Sequence, residues 1–449
     1  MTWRNRCPLV LAGLVFGLAT SALAQELEPS NAIVGSPAHI GAPAQPSQAA
    51  AVVAPFTTLY RFPGASGVYF PRGGLAMDSA GNLYGTTRYG GSSRTSGVVY
   101  KLTAPNWTYK LLHSGVLYKQ GIAPTAPLTI VGDVIYGTMS AGGDPACACG
   151  VVFTISTNGT GYKEFHVFGP DFPAKQVNGA TPIGGLLING DTMYGTTEAG
   201  GDNGSGVIYK LSTTGSGFTV LHQFAAYQGQ QTSGPQGELL GKDGYIYGTQ
   251  YGGGAYNQGT VFRISTTGAD FKVLYNFLGV NQPGNSTDGA NPEGRLAQGS
   301  DGTIYGTTTF GGTPLGYGTA WSLKLVSGKW VYKQLRRFAS GSNFYDANLP
   351  HGGLVIDTNG VLYGDGAGGG LYESGAVYEL TAPAKAGGAW GYKTLYSFKD
   401  LNTNGNSPYG PLLLENHLLY GANLAGGDIT PECDVVVDDG CGTVFRVNP

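Results

Sequence analysis

The sequence predicts an all-β fold, a seven-bladed β-propeller with four strands per blade, and three observations carry that prediction. A Tyr-Gly pair recurs seven times, beginning at Tyr84, Tyr136, Tyr194, Tyr247, Tyr305, Tyr363 and Tyr420, with spacings of 52, 58, 53, 58, 58 and 57 residues. Each pair is followed six and seven residues later by Gly-Gly, and each is preceded by a Pro-x-x-x-Leu element, from Pro71/Leu75 to Pro408/Leu412. Repeats of this length, built from short strands, are the pattern of a propeller. No segment sustains a helical period. The ends also complement each other: a strand-like segment, 56–62, precedes the first Pro element, and the last unit ends after its third strand, 442–447. The N-terminal strand is therefore expected to complete the last blade and close the ring, which leaves no exposed sheet edge at the seam.

Within a unit, the first strand runs from Pro-x-x-x-Leu into a tight turn such as 78–82 or Asn359-Gly360, and the second is the Leu-Tyr-Gly-Thr-Thr segment. Only eight or nine residues separate the Leu from the Tyr, a distance that admits a hairpin and excludes a helix. The third strand follows Gly97, Gly150, Gly206, Gly259, Gly318, Gly375 or Gly442. The fourth carries the aromatic pattern of 218–224 and 271–277.

The 77 Gly and 25 Pro among 449 residues suit turns, because 28 Tyr and 18 Phe supply the apolar area that a disordered chain lacks. Only 12% of residues are charged and the net charge is -3, so no basic field attracts nucleic acid. Residues 1–24 have a basic start at Arg4 and Arg6, an apolar run over 8–19 and a small-residue end at Ala22-Leu23-Ala24. This is the layout of a secretory signal peptide, too short to span a bilayer. Residues 25–54 read as a flexible Ala/Pro/Ser leader, and 55–449 as a single propeller domain. The mature chain is expected to be secreted or periplasmic, monomeric and without an integral membrane segment.

The motifs P-x-G-x-L, G-x-L-Y-G-T-T, G-G and G-T-V-F resemble the GloVer-type tandem repeat of the bacterial "choice-of-anchor tandem repeat" family over residues 55–449. The resemblance implies a secreted propeller with a C-terminal anchor, which the residues up to Pro449 do not show. It implies no catalytic residues, and none is carried over.

Candidate functional residues come from the differences between copies. His113, His166 and His222 occupy a fourth-strand position held by Tyr60, Tyr275 and Tyr396 elsewhere, and are expected to be structural, as are Trp107, Trp330 and Trp390. Four mature cysteines in an exported chain suggest two disulfides. Cys147 and Cys149 lie in unit two, Cys433 and Cys441 in unit seven, and these units are not ring neighbours, so the expected pairs are Cys147–Cys149 and Cys433–Cys441, with zinc as the alternative. The unit-seven loop also carries Asp434, Asp438 and Asp439, oxygen ligands for Ca²⁺ or a solvated acidic loop. No other cofactor is expected.

The residue after each repeat Pro varies while its neighbours repeat: Arg72, Thr125, Ile183, Gln236, Glu293, His351 and Tyr409. Two positions further on stand Gly74, Pro127, Gly185, Glu238, Arg295, Gly353 and Pro411, and unit six replaces the first Thr of Tyr-Gly-Thr-Thr by Asp365. In a propeller these positions surround the channel mouth. With the long loops 225–234, 278–291 and 339–349 they are expected to bind an extracellular glycan or protein, through Arg72, Gln236, Glu238, Glu293, Arg295, His351, Asp365 and Tyr409. The alternative is a polysaccharide-active enzyme at the same mouth. A uronide lyase would use Arg72 as the cation and His351 or Tyr409 as the base; a hydrolase would use Glu238 and Glu293.

Overall fold

Each repeat folds into one antiparallel sheet, and seven sheets form a seven-bladed propeller. The computed structural model describes residues 55–63, 68–116, 119–169, 178–226, 234–279, 288–313, 316–339, 345–385, 387–399, 404–427, 433 and 440–449. Blades are numbered here by their Tyr-Gly pairs, blade 1 holding Tyr84 and blade 7 Tyr420. Blade 1 shows the plan: an inner strand in two pieces, Tyr69–Pro71 and Ala76–Met77, then Leu83–Tyr89, Val98–Thr103 and the outermost Thr108–Ser114. One 3-10 turn, Gly91–Ser93, is the only helical element among the described residues, and none of their helices is long and apolar enough to cross a membrane.

The ring closes as expected. Phe56–Arg61 is the outermost strand of blade 7, antiparallel to Thr443–Val447, with Phe56 opposite Val447 and Arg61 opposite Thr443. The last blade therefore mixes strands from both ends of the domain.

The register explains why Tyr-Gly recurs. The Gly of each pair stands directly across the ladder from a third-strand aromatic: Gly85 opposite Tyr100, Gly137 opposite Phe153, Gly195 opposite Tyr209, Gly248 opposite Phe262, Gly306 opposite Trp321, Gly364 opposite Tyr378 and Gly421 opposite Phe445. All seven aromatic rings are fully buried. A Cβ on Gly306 would come within 2.4 Å of the Trp321 ring, and one on Gly85 within 2.4 Å of the Tyr100 hydroxyl. Glycine is required because the partner's ring fills the space over its Cα.

Between blades, outer-strand side chains stack. His113 lies on Tyr162 at 3.6 Å, His166 on Phe218 at 3.8 Å and His222 on Phe271 at 3.6 Å. Tyr275 lies on Tyr332 at 4.3 Å, the Arg336 guanidinium 4.6 Å over Tyr392, Tyr396 on Phe56 at 3.9 Å and Tyr60 on Tyr109 at 5.3 Å. One such contact spans each of the seven junctions, and the closing strand supplies a ring to two of them. Burial pushes His113 and His222 down to about 4, so both are neutral stacking rings. Trp107, Trp330 and Trp390 pack edge-on against Tyr420, Tyr247 and Tyr305 of the preceding blade. The structural reading of these histidines and tryptophans agrees with their contacts.

A second link joins the Pro element to the blade before it. The residue ahead of the Pro takes a left-handed backbone at Phe70, Ala123, Thr181, Asn291, Leu349 and Ser407, with φ from 51° to 71°. Its N–H donates to the carbonyl just before the preceding blade's third-strand glycine, as in Thr181 to Cys149 at 2.8 Å and Leu349 to Tyr317 at 3.1 Å. That glycine then faces the Pro ring; a Cβ on Gly150 would meet Pro182 Cδ at 2.5 Å, and one on Gly442 would meet Pro71 Cδ at 2.5 Å. Each left-handed residue is thus held by the neighbouring blade, and the residue after the Pro is placed in the same way in these six blades; in blade 4 the Gly234 N–H donates instead to the Glu198 carbonyl at 2.9 Å.

Cys147–Cys149 and Cys433–Cys441 are disulfide-bonded, with Cα atoms 5.2 and 5.3 Å apart.

Candidate functional site

The placement of the post-Pro residues brings their side chains to one end of the central channel. Six of the seven, Arg72, Thr125, Gln236, Glu293, His351 and Tyr409, line a cavity of about 340 Å³, as does Arg295. This is the size of a small-ligand site.

Four of them are connected across blades 5, 6, 7 and 1. Glu293 Oε1 and His351 Nδ1 are 2.5 Å apart. The His351 ring stacks on Tyr409 with centroids 4.1 Å apart and planes within 14°. Arg72 Nη2 donates to Tyr409 Oη at 2.9 Å, and its guanidinium lies 4.6 Å from the Tyr409 ring centre. The Tyr409 hydroxyl also hydrogen-bonds Glu293. Burial alone would raise the Glu293 carboxyl, but His351, the Arg72 guanidinium and the Tyr409 hydroxyl outweigh it and hold the group below the ordinary glutamate value. Glu293 is therefore a stable carboxylate that fixes the imidazole through Nδ1. No described group hydrogen-bonds Nε2.

The other expected site residues divide. Gln236 and Arg295 line the cavity. Glu238 lies on the strand Pro235–Leu240, and its side chain is outside the described part of the structure. Asp365 does not line the cavity: it is 1% exposed, packed beside Gly352, and no side chain bonds either of its carboxylate oxygens. In blades 2 and 5 the Thr at this position donates to a carbonyl of the next blade, Thr138 to Gly184 at 3.3 Å and Thr307 to Pro350 at 3.2 Å. Burial pushes the Asp365 carboxyl up to about 8, so at neutral pH it is a protonated acid. Asp434, Asp438 and Asp439 lie outside the described residues. Among the described residues no group of three His, Cys, Asp or Glu side chains gathers as a metal site would need.

Of the exposed aromatics in the loops on the mouth side of blades 5 and 6, the sequence places Tyr345 in a candidate binding loop but does not single out Phe310 or Tyr372. Phe310, Tyr345 and Tyr372 are 39%, 55% and 44% exposed. The Gly370 N–H donates to the Asp346 carbonyl at 3.0 Å and ties the Tyr345 and Tyr372 loops together. The signal available for Phe310 and Tyr372 was an aromatic next to the Gly-Gly pair of each loop.

Comparison with solved structures shows the same fold at low identity. An oligogalacturonate lyase in complex with manganese superposes with a TM-score of 0.53 at 11% identity, over 89% of this chain and 94% of that one. The GH74 enzyme of Niastella koreensis superposes with a TM-score of 0.50 at 18% identity, over 82% of this chain, which spans 52% of the enzyme's length. No curated protein matches the sequence. The model of the Gloeobacter/Verrucomicrobia repeat matches three times, at residues 50–232, 171–342 and 234–449. With the whole propeller covered by these matches, the chain belongs to the Gloeobacter/Verrucomicrobia repeat family.

Proposed function

We propose that this protein is an exported binding module that takes an extracellular glycan at the channel mouth. The observation that carries the reading is the linked set Arg72, Tyr409, His351 and Glu293, four variable residues on a near-invariant scaffold, lining a cavity of about 340 Å³. Hydroxyl-rich ligands need fixed donors and acceptors in a pocket whose walls are otherwise apolar, and this set supplies both. Phe310, Tyr345 and Tyr372 add exposed rings on the same side, the surface on which a sugar's apolar face stacks.

The enzymatic reading retains one specific support: a His351 ring oriented through Nδ1, with Nε2 free to accept a proton. It favours a lyase-type proton abstraction over a hydrolase. Glu293, held ionised, does not suit a general acid.

A glycan array probed with the full chain, with the bound sugars then assayed for new reducing or unsaturated ends, tests both readings. Binding without products, weakened in Arg72→Ala and His351→Ala, is the expected result. Products would establish the enzyme instead, and binding unaffected by both substitutions would overturn the mouth as the site.

A further inference from the structure

Among the described residues, one cation of the cavity has no partner. Arg295 stands two residues beyond Glu293 on blade 5, one tier deeper in the channel. The same tier is Gly74, Pro127, Gly185, Gly353 and Pro411 on five other blades, none of which offers a polar side chain. The seventh, Glu238, lies outside the described side chains. The Arg295 backbone is locked to blade 6: its N–H donates to the Gly352 carbonyl at 3.1 Å, and its carbonyl accepts from the Leu354 N–H at 3.1 Å.

Among the described residues no carboxylate pairs with the Arg295 guanidinium and no hydrogen bond engages it, whereas Arg72 is committed to Tyr409. Arg295 nonetheless lines the cavity and is open to it. Its side chain is exposed within the channel, and the surrounding blades lower its pKa by desolvation. Glu415, the other carboxylate along the cavity, sits at the far end of the blade 7 inner strand Leu413–Glu415.

A guanidinium exposed in a cavity, with no partner among the described residues, is matched best by a carboxylate, whose two oxygens fit its paired N–H groups. Building on the glycan-binding reading above, we propose that Arg295 recognises the carboxylate of an acidic sugar, so that the mouth takes a uronate-bearing chain. The uronate carboxylate reaches Arg295, and the rest of the chain remains against the Tyr409, His351 and Arg72 set nearer the surface.

Calorimetric titration of the full chain with the trimers of galacturonate, glucuronate and mannuronate, each as free acid and as methyl ester, tests this. The ester keeps the sugar and removes the charge. At least one acid trimer is expected to bind tenfold or more tighter than its ester, and Arg295→Gln is expected to bring that ratio close to one. An ester as tight as its acid, or a ratio that survives Arg295→Gln, overturns the inference and leaves the glycan site standing. So does acetate that displaces the trimer at the trimer's own concentration, since the site would then read a free anion and not a sugar. Binding of neutral glycans alone has the same meaning. If no glycan of either kind binds, both this inference and the reading it rests on fall.

Discussion

Replacing Phe56 by Ala tests ring closure at one side chain. The Phe56 ring is half-buried in the seam between blades 6 and 7, 3.9 Å from Tyr396 and nearly parallel to it, with Phe398 and Phe445 each at 5.8 Å. The stack is worth about 0.5–1.5 kcal/mol beyond burial, and half-burial of the ring about 1–2 kcal/mol more. The loss should be about 2–3 kcal/mol. At about 2 cal/mol/K of unfolding entropy per residue, over roughly 400 residues, this lowers Tm by about 3 °C. Scanning calorimetry against Tyr372→Ala gives the contrast, because Tyr372 is 44% exposed and its loss should move Tm by less than about 1 °C. Removing the whole strand Phe56–Arg61 also uncovers the backbone edge of Thr443–Val447, and should produce aggregation along with a much larger drop. If Phe56→Ala melts with Tyr372→Ala, the N-terminal strand does not hold the ring together and the account of the seam is wrong.

Acid should destabilise the propeller through His113 and His222: both are neutral in either state above their ordinary value near 6.5, but between there and about 4 the unfolded chain takes protons that the stacked rings refuse. In the Asp365→Thr background, urea midpoints at pH 7.5, 5.5 and 4.5 should fall in that order, and replacing both histidines by Tyr, the residue at 275, should flatten the decline. Asp365 works in the opposite direction. Its carboxyl titrates near 8 in the fold, so stability is lost as pH rises from about 4 to about 8, and Asp365→Thr should remove that slope and raise the pH 7.5 midpoint by the equivalent of a few kcal/mol. Gly306→Ala, which drives a Cβ to 2.4 Å from Trp321, should cost about 3 kcal/mol or more or prevent folding; recovery in Gly306→Ala with Trp321→Val would show that the ring is the obstacle, and no loss in the single variant would refute the register account.

The architecture was legible because its signal is a period. Seven Tyr-Gly pairs at near-constant spacing and complementary chain ends specify a closed ring without any knowledge of contacts. The reason for the Gly was not legible, since it depends on which third-strand residue stands opposite it, and only the register gives that. The mouth was legible as a set of positions: Arg72, Glu293, His351 and Tyr409 stood out by varying where their neighbours repeat. Their connection was not, because nothing in the spacing says that Arg72 lies over Tyr409 or that Glu293 meets His351. Asp365 was not legible as a core residue. Its place beside His351 in the strand order grouped it with ligand-facing residues, but the structure buries it beside Gly352, at a position where a Thr hydroxyl donates to the next blade in blades 2 and 5.

The central claim is that the variable residues at the channel mouth hold the ligand. A crystal structure of the protein soaked with the best glycan from the array tests it most directly. The account predicts sugar density in the cavity, within hydrogen-bond distance of Arg72 and His351 and continuing toward Arg295. Density confined to the outer strands or to the opposite face, with the mouth unoccupied, would contradict it.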